Sequence, residues 1–325
     1  MSKEPNNPFS IWRLWIPILL GAGVLWYLLE KQMDWEHLQK IDFSKHFYFF
    51  LSIACILVIV RHIAFSYRLQ ILLDKALSFK RCILLMILWE FSAAVAPTSV
   101  GGTAIALFLL TKEKLSSGKI AVSMIAKVIL DGIFFVGSVV LLFIFFGCNF
   151  LRPELSGYAA LSSWSLILLV TLLIISAYNI LLYLGIFYNP SRVKKFLFGV
   201  ASFRYLSRFK SNIENIGEEI EISAIPIRNM PIKRKISLLC YTWIAWVARF
   251  ATLVAIIACF IDPLPWGLHD VVLLTGRSES LWLTTALSPT PGSTGVVDLA
   301  FTGFFSDYLN PSVAILVIVI WRLLT

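Results

Sequence analysis

Two apolar stretches of the sequence are each interrupted by a Pro-Thr pair and glycines: "APTSVGGTAIALFLL" at Ala96–Leu110 and "LSPTPGSTGVVDLAF" at Leu287–Phe301. Proline removes a backbone donor and clashes with the preceding helical turn, and glycine weakens a helix by about 1 kcal/mol relative to alanine. An uninterrupted helix is therefore not expected at either place. The similar sequences of the two breaks suggest two related structural units.

The composition around these breaks is that of a membrane protein. Hydrophobic residues make up 58% of the 325-residue chain and charged residues 14%, against roughly 25% charged in soluble domains. The mean hydropathy is +0.82. We therefore predict an all-α polytopic protein with a single integral membrane domain over residues 1–325 and no soluble catalytic domain.

Apolar segments long enough to cross or enter a membrane recur along the chain. The first is expected to be a retained helix, because no small-residue cleavage site follows it. The last reaches Thr325 after only 15 residues, which leaves open whether the chain is truncated there. The segments are Leu14–Leu29, Phe47–Tyr67, Cys82–Ala96, Ile120–Gly147, Ala159–Tyr188, Ile236–Ile261, Val271–Ser288 and Pro311 to the end.

The third segment, Cys82–Ala96, is too short for a comfortable span. At 1.5 Å per residue it covers about 22 Å of the ~30 Å hydrocarbon layer. If Cys82–Leu110 enters and returns to the same side, the cytoplasmic pieces carry nineteen Lys and Arg and the opposite loops four. This bias follows the positive-inside rule. It predicts a re-entrant pair, a cytoplasmic N-terminus and a location in the cell membrane.

The same reasoning makes Val271–Ser306 a second re-entrant pair, entering from the opposite side. We therefore predict about six spanning helices plus two re-entrant broken-helix pairs related as an inverted repeat, with a polar site where they meet. The glycines would leave N–H donors at helix N-termini, a favourable place for an anion. The alternative, that the prolines only kink ordinary spans, remains open. The break residues are Pro97, Gly101, Gly102, Pro289, Pro291, Gly292 and Gly295.

Ionisable residues inside apolar segments are costly and are therefore candidates for function. Lys127 and Asp131 are four residues apart on one helix face, where they could also form a purely structural ion pair. Arg249 lies near the middle of its segment without a partner there, so Glu90, Glu279 or a lipid phosphate would have to supply one. Arg61, near a helix end, is expected to extend to the membrane surface.

The hydrophilic segment 189–235 alternates basic and apolar residues in "RVKKFLFGVASFRYLSRFK". This pattern predicts a cytoplasmic amphipathic helix attracted to anionic lipid headgroups, and beside a membrane segment we expect no nucleic-acid binding. The acidic run "ENIGEEIEI" that follows is expected to face solvent. Histidines and cysteines show no metal-ligand spacing, and nucleotide-binding and hydrolase motifs are missing. We predict no metal, no cofactor and no enzymatic activity.

These motifs resemble the lysylphosphatidylglycerol synthase transmembrane-domain (flippase-like) family. "YRLQILL" at Tyr67–Leu73 places Arg68 on the family's arginine, and "SPTPGSTGVVDLAF" matches its second Pro-Gly signature. The first break, continued through a helix carrying Asp131, matches the first signature, and Arg322 matches an arginine in the last helix. Ser293 and Asp298 depart from the usual Gly and Glu. No aminoacyl-transferase domain follows, so the resemblance implies translocation, with a separate enzyme making the lipid.

We therefore predict a lipid translocase that moves the headgroup of an anionic phospholipid or a polyprenyl-phosphate lipid between leaflets. Two alternatives remain: a membrane-embedded transferase that modifies a lipid, and an ion-coupled transporter of a small solute. The candidate substrate-binding residues are all ionisable. They are Arg68, Glu90, Lys127, Asp131, Arg249, Arg277, Glu279 and Asp298.

Overall fold

The structure, a computed structural model, describes residues 43–95, 106–155, 162–188, 210–261, 267–285 and 296–325. Across these ranges the chain forms helices and no strands, as predicted. The predicted first helix Leu14–Leu29, all seven break residues and most of the basic part of segment 189–235 lie outside the described residues. The inverted repeat and the two re-entrant pairs therefore stay predictions.

Long helices separated by short connections make up the described chain. Residues 106–111 are also helical, a 3-10 turn occupies Gly147–Phe150, and a π turn occupies Leu184–Tyr188. The principal helices are α1 (Lys45–Leu72), α2 (Phe79–Val95), α3 (Ser117–Phe146), α4 (Ser163–Tyr183), α5 (Lys210–Arg228), α6 (Ile232–Ala258), α7 (Leu268–Thr285), α8 (Val296–Phe304) and α9 (Pro311–Leu324).

Helices α1, α3, α4 and α6 are long and apolar enough to cross a membrane, which confirms a multi-pass membrane protein. Helix α2 has 17 residues and is shorter than these, and α9 is a shorter apolar helix. The predicted second segment ended at Tyr67, whereas α1 continues to Leu72. Arg68 thus lies inside a helix, where a carboxylate partner offsets its charge.

Polar residues and glycine set the helix ends. The Ser116 side chain accepts a hydrogen bond from the backbone N–H of Lys119 at the start of α3, and Asn310 caps α9 in the same way. Such caps satisfy backbone donors that the first turn leaves free. Gly147 ends α3 with a φ of 59°, a left-handed conformation that suits a residue without Cβ.

Helices α1 and α6 form the most extensive helix pair and run antiparallel. His46 Nε2 lies 2.8 Å from the carbonyl oxygen of Ala258 at one end. At the other end, Arg68 Nη1 lies 3.4 Å from Thr242 Oγ1. Helix α3 packs beside this pair, where the Ser123 hydroxyl donates to the carbonyl of Leu72. The second half of α1 therefore contacts both α3 and α6.

An aromatic core fills the space between α3, α6 and α7. Phe135 stacks on Trp282 with ring centroids 4.9 Å apart, and Trp246 meets both rings edge-on. Phe134 packs against Trp243 on the same side. Large buried rings dominate core energetics, so this cluster packs α3 and α6, which carry buried charges, against α7.

The outer helices expose apolar side chains. Only 11% of the most apolar 18-residue stretch of α4 is buried, and Phe145 on α3 is 74% exposed. Lipid covers such surfaces in a membrane protein. Helix α5 instead packs closely on α3, where the Glu219 carboxylate accepts from the backbone N–H of Gly118 at 2.8 Å. At least this residue of the predicted solvent-facing acidic run therefore contacts the helical bundle.

Candidate functional site

Ionisable side chains from α1, α2, α3 and α6 converge near the middle of the bundle. We call this group the charge cluster. It contains five basic and two acidic residues: Arg61, His62, Arg68, Glu90, Lys127, Asp131 and Arg249.

One half of the charge cluster is built around Glu90 of α2. Its Oε2 accepts a hydrogen bond from Arg61 Nη2 at 2.7 Å and lies 2.9 Å from His62 Nε2. The other ring nitrogen of His62 is 2.9 Å from the carbonyl oxygen of Val58. Both contacts are hydrogen bonds when each ring nitrogen carries a hydrogen, as in the cationic form. Two adjacent residues of α1, Arg61 and His62, therefore contact the same carboxylate oxygen of Glu90.

The other half is built around Asp131 of α3. Arg68 of α1 pairs directly with Asp131 Oδ1, and Lys127 Nζ lies 2.9 Å from Oδ2. Trp246 of α6 donates its indole N–H to Oδ1 at 2.8 Å. The carboxylate thus has two cationic partners and a neutral donor from three helices. This many donors offset the cost of burying the charge.

Arg249 lies between the two halves. Its charge interacts with Arg61, Glu90 and Asp131, and its guanidinium sits 5.7 Å from the centre of the Trp246 ring. Among the described residues, no carboxylate forms a hydrogen bond or salt bridge with Arg249. The sequence raised the question of its partner, and the described part of the chain supplies no direct one.

Arg61 is the most buried member of the cluster, with 1% of its side chain exposed. Only its Nη2 is bonded to Glu90, while Nε and Nη1 are buried and have no hydrogen-bond partner among the described residues. Buried charged donors without acceptors are costly. This arrangement differs from the expectation that Arg61 extends to the membrane surface, because Glu90 holds the guanidinium inside the bundle.

The cluster therefore has more positive than negative charge and keeps free N–H donors beside an arginine without a direct anionic partner. Arginine guanidinium groups suit phosphate and carboxylate oxygens, which they bind through two parallel hydrogen bonds. An anionic group close to both Arg61 and Arg249 would supply the missing acceptors. The excess positive charge and the unbonded donors of the cluster thus favour binding of an anion.

The predicted site residue Arg277 lies in a different contact. Its Nη1 bonds both carboxylate oxygens of Asp307 at 2.6 and 2.7 Å, and its Nε donates to the carbonyl of Asn149 at 3.2 Å. The guanidinium also lies 5.7 Å from the centre of the Tyr308 ring. In this structure Arg277 joins α7 to the segment between α8 and α9.

The two remaining predicted residues are also paired elsewhere. Glu279 contacts the Ser138 hydroxyl of α3, and Asp298 accepts from Arg322 Nη2 at 3.0 Å. The structure thus brings together five of the eight predicted residues and not the other three. The five are Arg68, Glu90, Lys127, Asp131 and Arg249.

Sequence reasoning did not identify His62, Trp246 or Asp307. His62 directly follows Arg61 inside an apolar helix, and Trp246 lies one turn before Arg249, so both had a detectable signal. Asp307 lies between α8 and α9, and nothing in its local sequence marks it as the partner of Arg277. The described residues contain no group of three or more His, Cys, Asp or Glu arranged to hold a metal ion.

Comparison with known proteins agrees with this architecture. The chain is 22% identical over 319 residues to a "UPF0104 membrane protein" of Archaeoglobus fulgidus, covering 94% of this chain and 89% of that protein. No solved structure matches. The family model described as "Lysylphosphatidylglycerol synthase TM region" matches residues 14–325. Because this match spans nearly the whole chain, the protein belongs to the family of lysylphosphatidylglycerol synthase transmembrane regions.

Proposed function

We propose that this protein translocates a lipid with an anionic headgroup, an anionic phospholipid or a polyprenyl-phosphate lipid, between the leaflets of the cell membrane. The observation that carries the proposal is the charge cluster, where Arg249 has no direct carboxylate partner and Arg61 has two unbonded guanidinium nitrogens among the described residues. A lipid phosphate supplies acceptors for both. Family membership supports a lipid as the substrate class.

In this proposal Arg249 and Arg61 bind the phosphate while Glu90 and Asp131 hold the surrounding cations in place. The headgroup then passes from one leaflet to the other through the charge cluster, while the acyl chains of the lipid remain in the membrane. Excess positive charge lowers the cost of bringing a phosphate into a low-dielectric interior. The protein itself catalyses no bond change, and a separate enzyme makes the lipid. The N-terminus faces the cytoplasm in this arrangement.

The test uses the full chain in proteoliposomes with a fluorescent NBD-labelled phosphatidylglycerol, read by dithionite quenching of the outer leaflet. An NBD-labelled polyprenyl phosphate and a zwitterionic NBD-phosphatidylcholine are measured in parallel. We expect faster translocation of at least one anionic probe than of phosphatidylcholine. Arg249→Gln removes one charged hydrogen-bonding group, worth about 1.5–3 kcal/mol, and should slow this translocation about tenfold or more.

Arg234→Gln is the matched control. This arginine is half exposed and pairs with exposed Asp74, away from the charge cluster. It should translocate at the wild-type rate. A wild-type rate for Arg249→Gln, or no anionic probe moving faster than in protein-free vesicles, would overturn the proposed function.

A further inference from the structure

Glu279 is a buried acid that the proposed binding site does not use. It lies on α7 and is 3% exposed, and the nearby Leu281 and Leu283 of the same helix are also buried. Its hydrogen-bond partner is the hydroxyl of Ser138 on α3. An ionised carboxylate in such surroundings requires a cation or several donors.

No charged group of the described residues provides that compensation. Among the described residues, the contact with Ser138 is the only one that stabilises a charge on Glu279. The described part of α4 contains no Asp, Glu, Lys, Arg or His. The charged groups near mid-bundle contact other residues instead: Lys127 of α3 pairs with Asp131, Arg277 of α7 itself with Asp307, and Asp298 of α8 with Arg322. Arg249 of α6 interacts with the charge cluster, where it has no direct carboxylate partner among the described residues.

The Ser138 hydroxyl has one hydrogen but lies close to three oxygen atoms. Its Oγ lies 2.7 Å from the carbonyl oxygen of Phe134 and 3.2 Å from that of Phe135, besides its close contact with Glu279 Oε1. A hydroxyl has one hydrogen to donate. In a helix, serine commonly donates it to the carbonyl four residues earlier, here Phe134. The contact with Glu279 then needs a hydrogen from the carboxyl group, which is the neutral acid.

Resting on the proposed function, we propose that Glu279 carries a proton in this structure and that release and return of this proton drive lipid translocation. The O–H bond of the acid breaks, the proton passes to water on one side of the membrane, and the carboxylate remains. It later takes a proton from the opposite side. No other reactant is needed.

The position of Glu279 explains how the proton would act on the site. The neutral acid joins α7 to α3, and α3 carries Lys127 and Asp131 of the charge cluster. A charge on Glu279 would make this dry contact unfavourable and favour its separation. Protonation of Glu279 thus affects the packing of α7 against a helix that carries part of the binding site.

The test measures energy coupling with proteoliposomes that contain a pH gradient. The probes are NBD-phosphatidylglycerol and NBD-labelled polyprenyl phosphate, and internal pyranine reports proton flux. Passive scrambling leaves the label equally distributed between leaflets. Exchange of one proton per lipid shifts the distribution up to about tenfold per pH unit. We expect this asymmetry, its reversal with the gradient, and lipid-dependent proton flux.

Glu279→Gln keeps a neutral donor toward Ser138 but cannot release a proton. It should lose the asymmetry and the flux while it still binds the lipid. Ser280→Ala is the control, because the buried Ser280 hydroxyl has no hydrogen-bond partner among the described residues. It should behave as the wild type. Infrared spectra of the wild type should show a protonated carboxyl band that Glu279→Gln lacks.

The outcomes separate the two proposals. Wild-type translocation with equal leaflets and no proton flux would overturn the coupling and leave the proposed function standing. Absence of any lipid translocation would overturn the proposed function and the coupling with it, whereas the infrared band would still establish the proton on Glu279. Absence of that band in the wild type would overturn the proton assignment, and this measurement does not depend on the folding of a variant.

Discussion

Arg61 of α1 and Glu90 of α2 form a 2.7 Å ion pair that uses only one of the three guanidinium nitrogens of Arg61. The pair fixes a cation near the middle of the bundle and leaves its remaining donors without partners in the described chain. A purely structural ion pair is best stabilised when every donor is satisfied. The incomplete bonding of Arg61 therefore favours binding of a further anion next to Glu90.

Asp131→Asn should strongly destabilise the protein. The variant leaves buried Arg68 and half-buried Lys127 without their carboxylate. Removing one partner from a buried ion pair costs about 3–5 kcal/mol. The measurement is the thermal unfolding midpoint of the purified protein in detergent. Asp74→Asn, which removes a carboxylate from the exposed pair with Arg234, should change the midpoint little. Equal midpoints for the two variants would contradict a stabilising role for Asp131.

Arg277→Gln should lower stability without abolishing translocation by the folded protein. Glutamine cannot reproduce the two hydrogen bonds to Asp307 and the one to Asn149, a loss of about 2 kcal/mol. Arg249→Gln should show the opposite pattern, with little change in unfolding midpoint and slow translocation. Both quantities are measured on the same preparations. Slow translocation by Arg277→Gln at an unchanged midpoint would instead support the sequence-based prediction that Arg277 binds phosphate.

The sequence made the buried charges visible because each one interrupts an apolar run. It also placed Lys127 and Asp131 on one helix face, and the structure pairs them at 2.9 Å. Helical spacing alone was sufficient for this, since residues four apart are neighbours. The multi-pass helical architecture followed from segment length and hydropathy in the same way.

Contacts between distant segments could not be predicted from local spacing. Arg68 and Asp131 are 63 positions apart, and Trp246 is 115 positions from Asp131. Their meeting depends on how α1, α3 and α6 pack, which no local periodicity encodes. The expected surface position of Arg61 failed for the same reason, because Glu90 comes from another helix. Arg277 likewise meets a partner 30 positions away.

Gly118→Ala should weaken the attachment of α5 to α3. A Cβ at Gly118 would lie 2.3 Å from the backbone carbon of Glu219, so the two helices would have to separate. Overpacking of this kind costs about 1–3 kcal/mol. We expect a lower unfolding midpoint and faster proteolysis near α5. Gly137→Ala, in the same helix, is the control, since its Cβ would lie 3.5 Å from the nearest atom of Trp243. Similar behaviour of the two variants would argue against the close contact.

Tyr308 should make stability decrease at alkaline pH. Burial, then the hydrogen bond to Asp270 at 3.0 Å and its negative charge, raise the pKa of Tyr308 to about 12 from an ordinary value of about 10. Between these values the folded protein retains a proton that the unfolded chain loses. The stabilisation is therefore complete below about pH 10 and disappears as pH rises toward 12. Tyr308→Phe should lack this decrease in stability. Tyr48 is 58% exposed, so the control Tyr48→Phe should retain the decrease. Unfolding midpoints measured from pH 9 to 11 (about one unit on either side of the ordinary value) distinguish the variants, and parallel curves for Tyr308→Phe and the wild type would contradict the assignment.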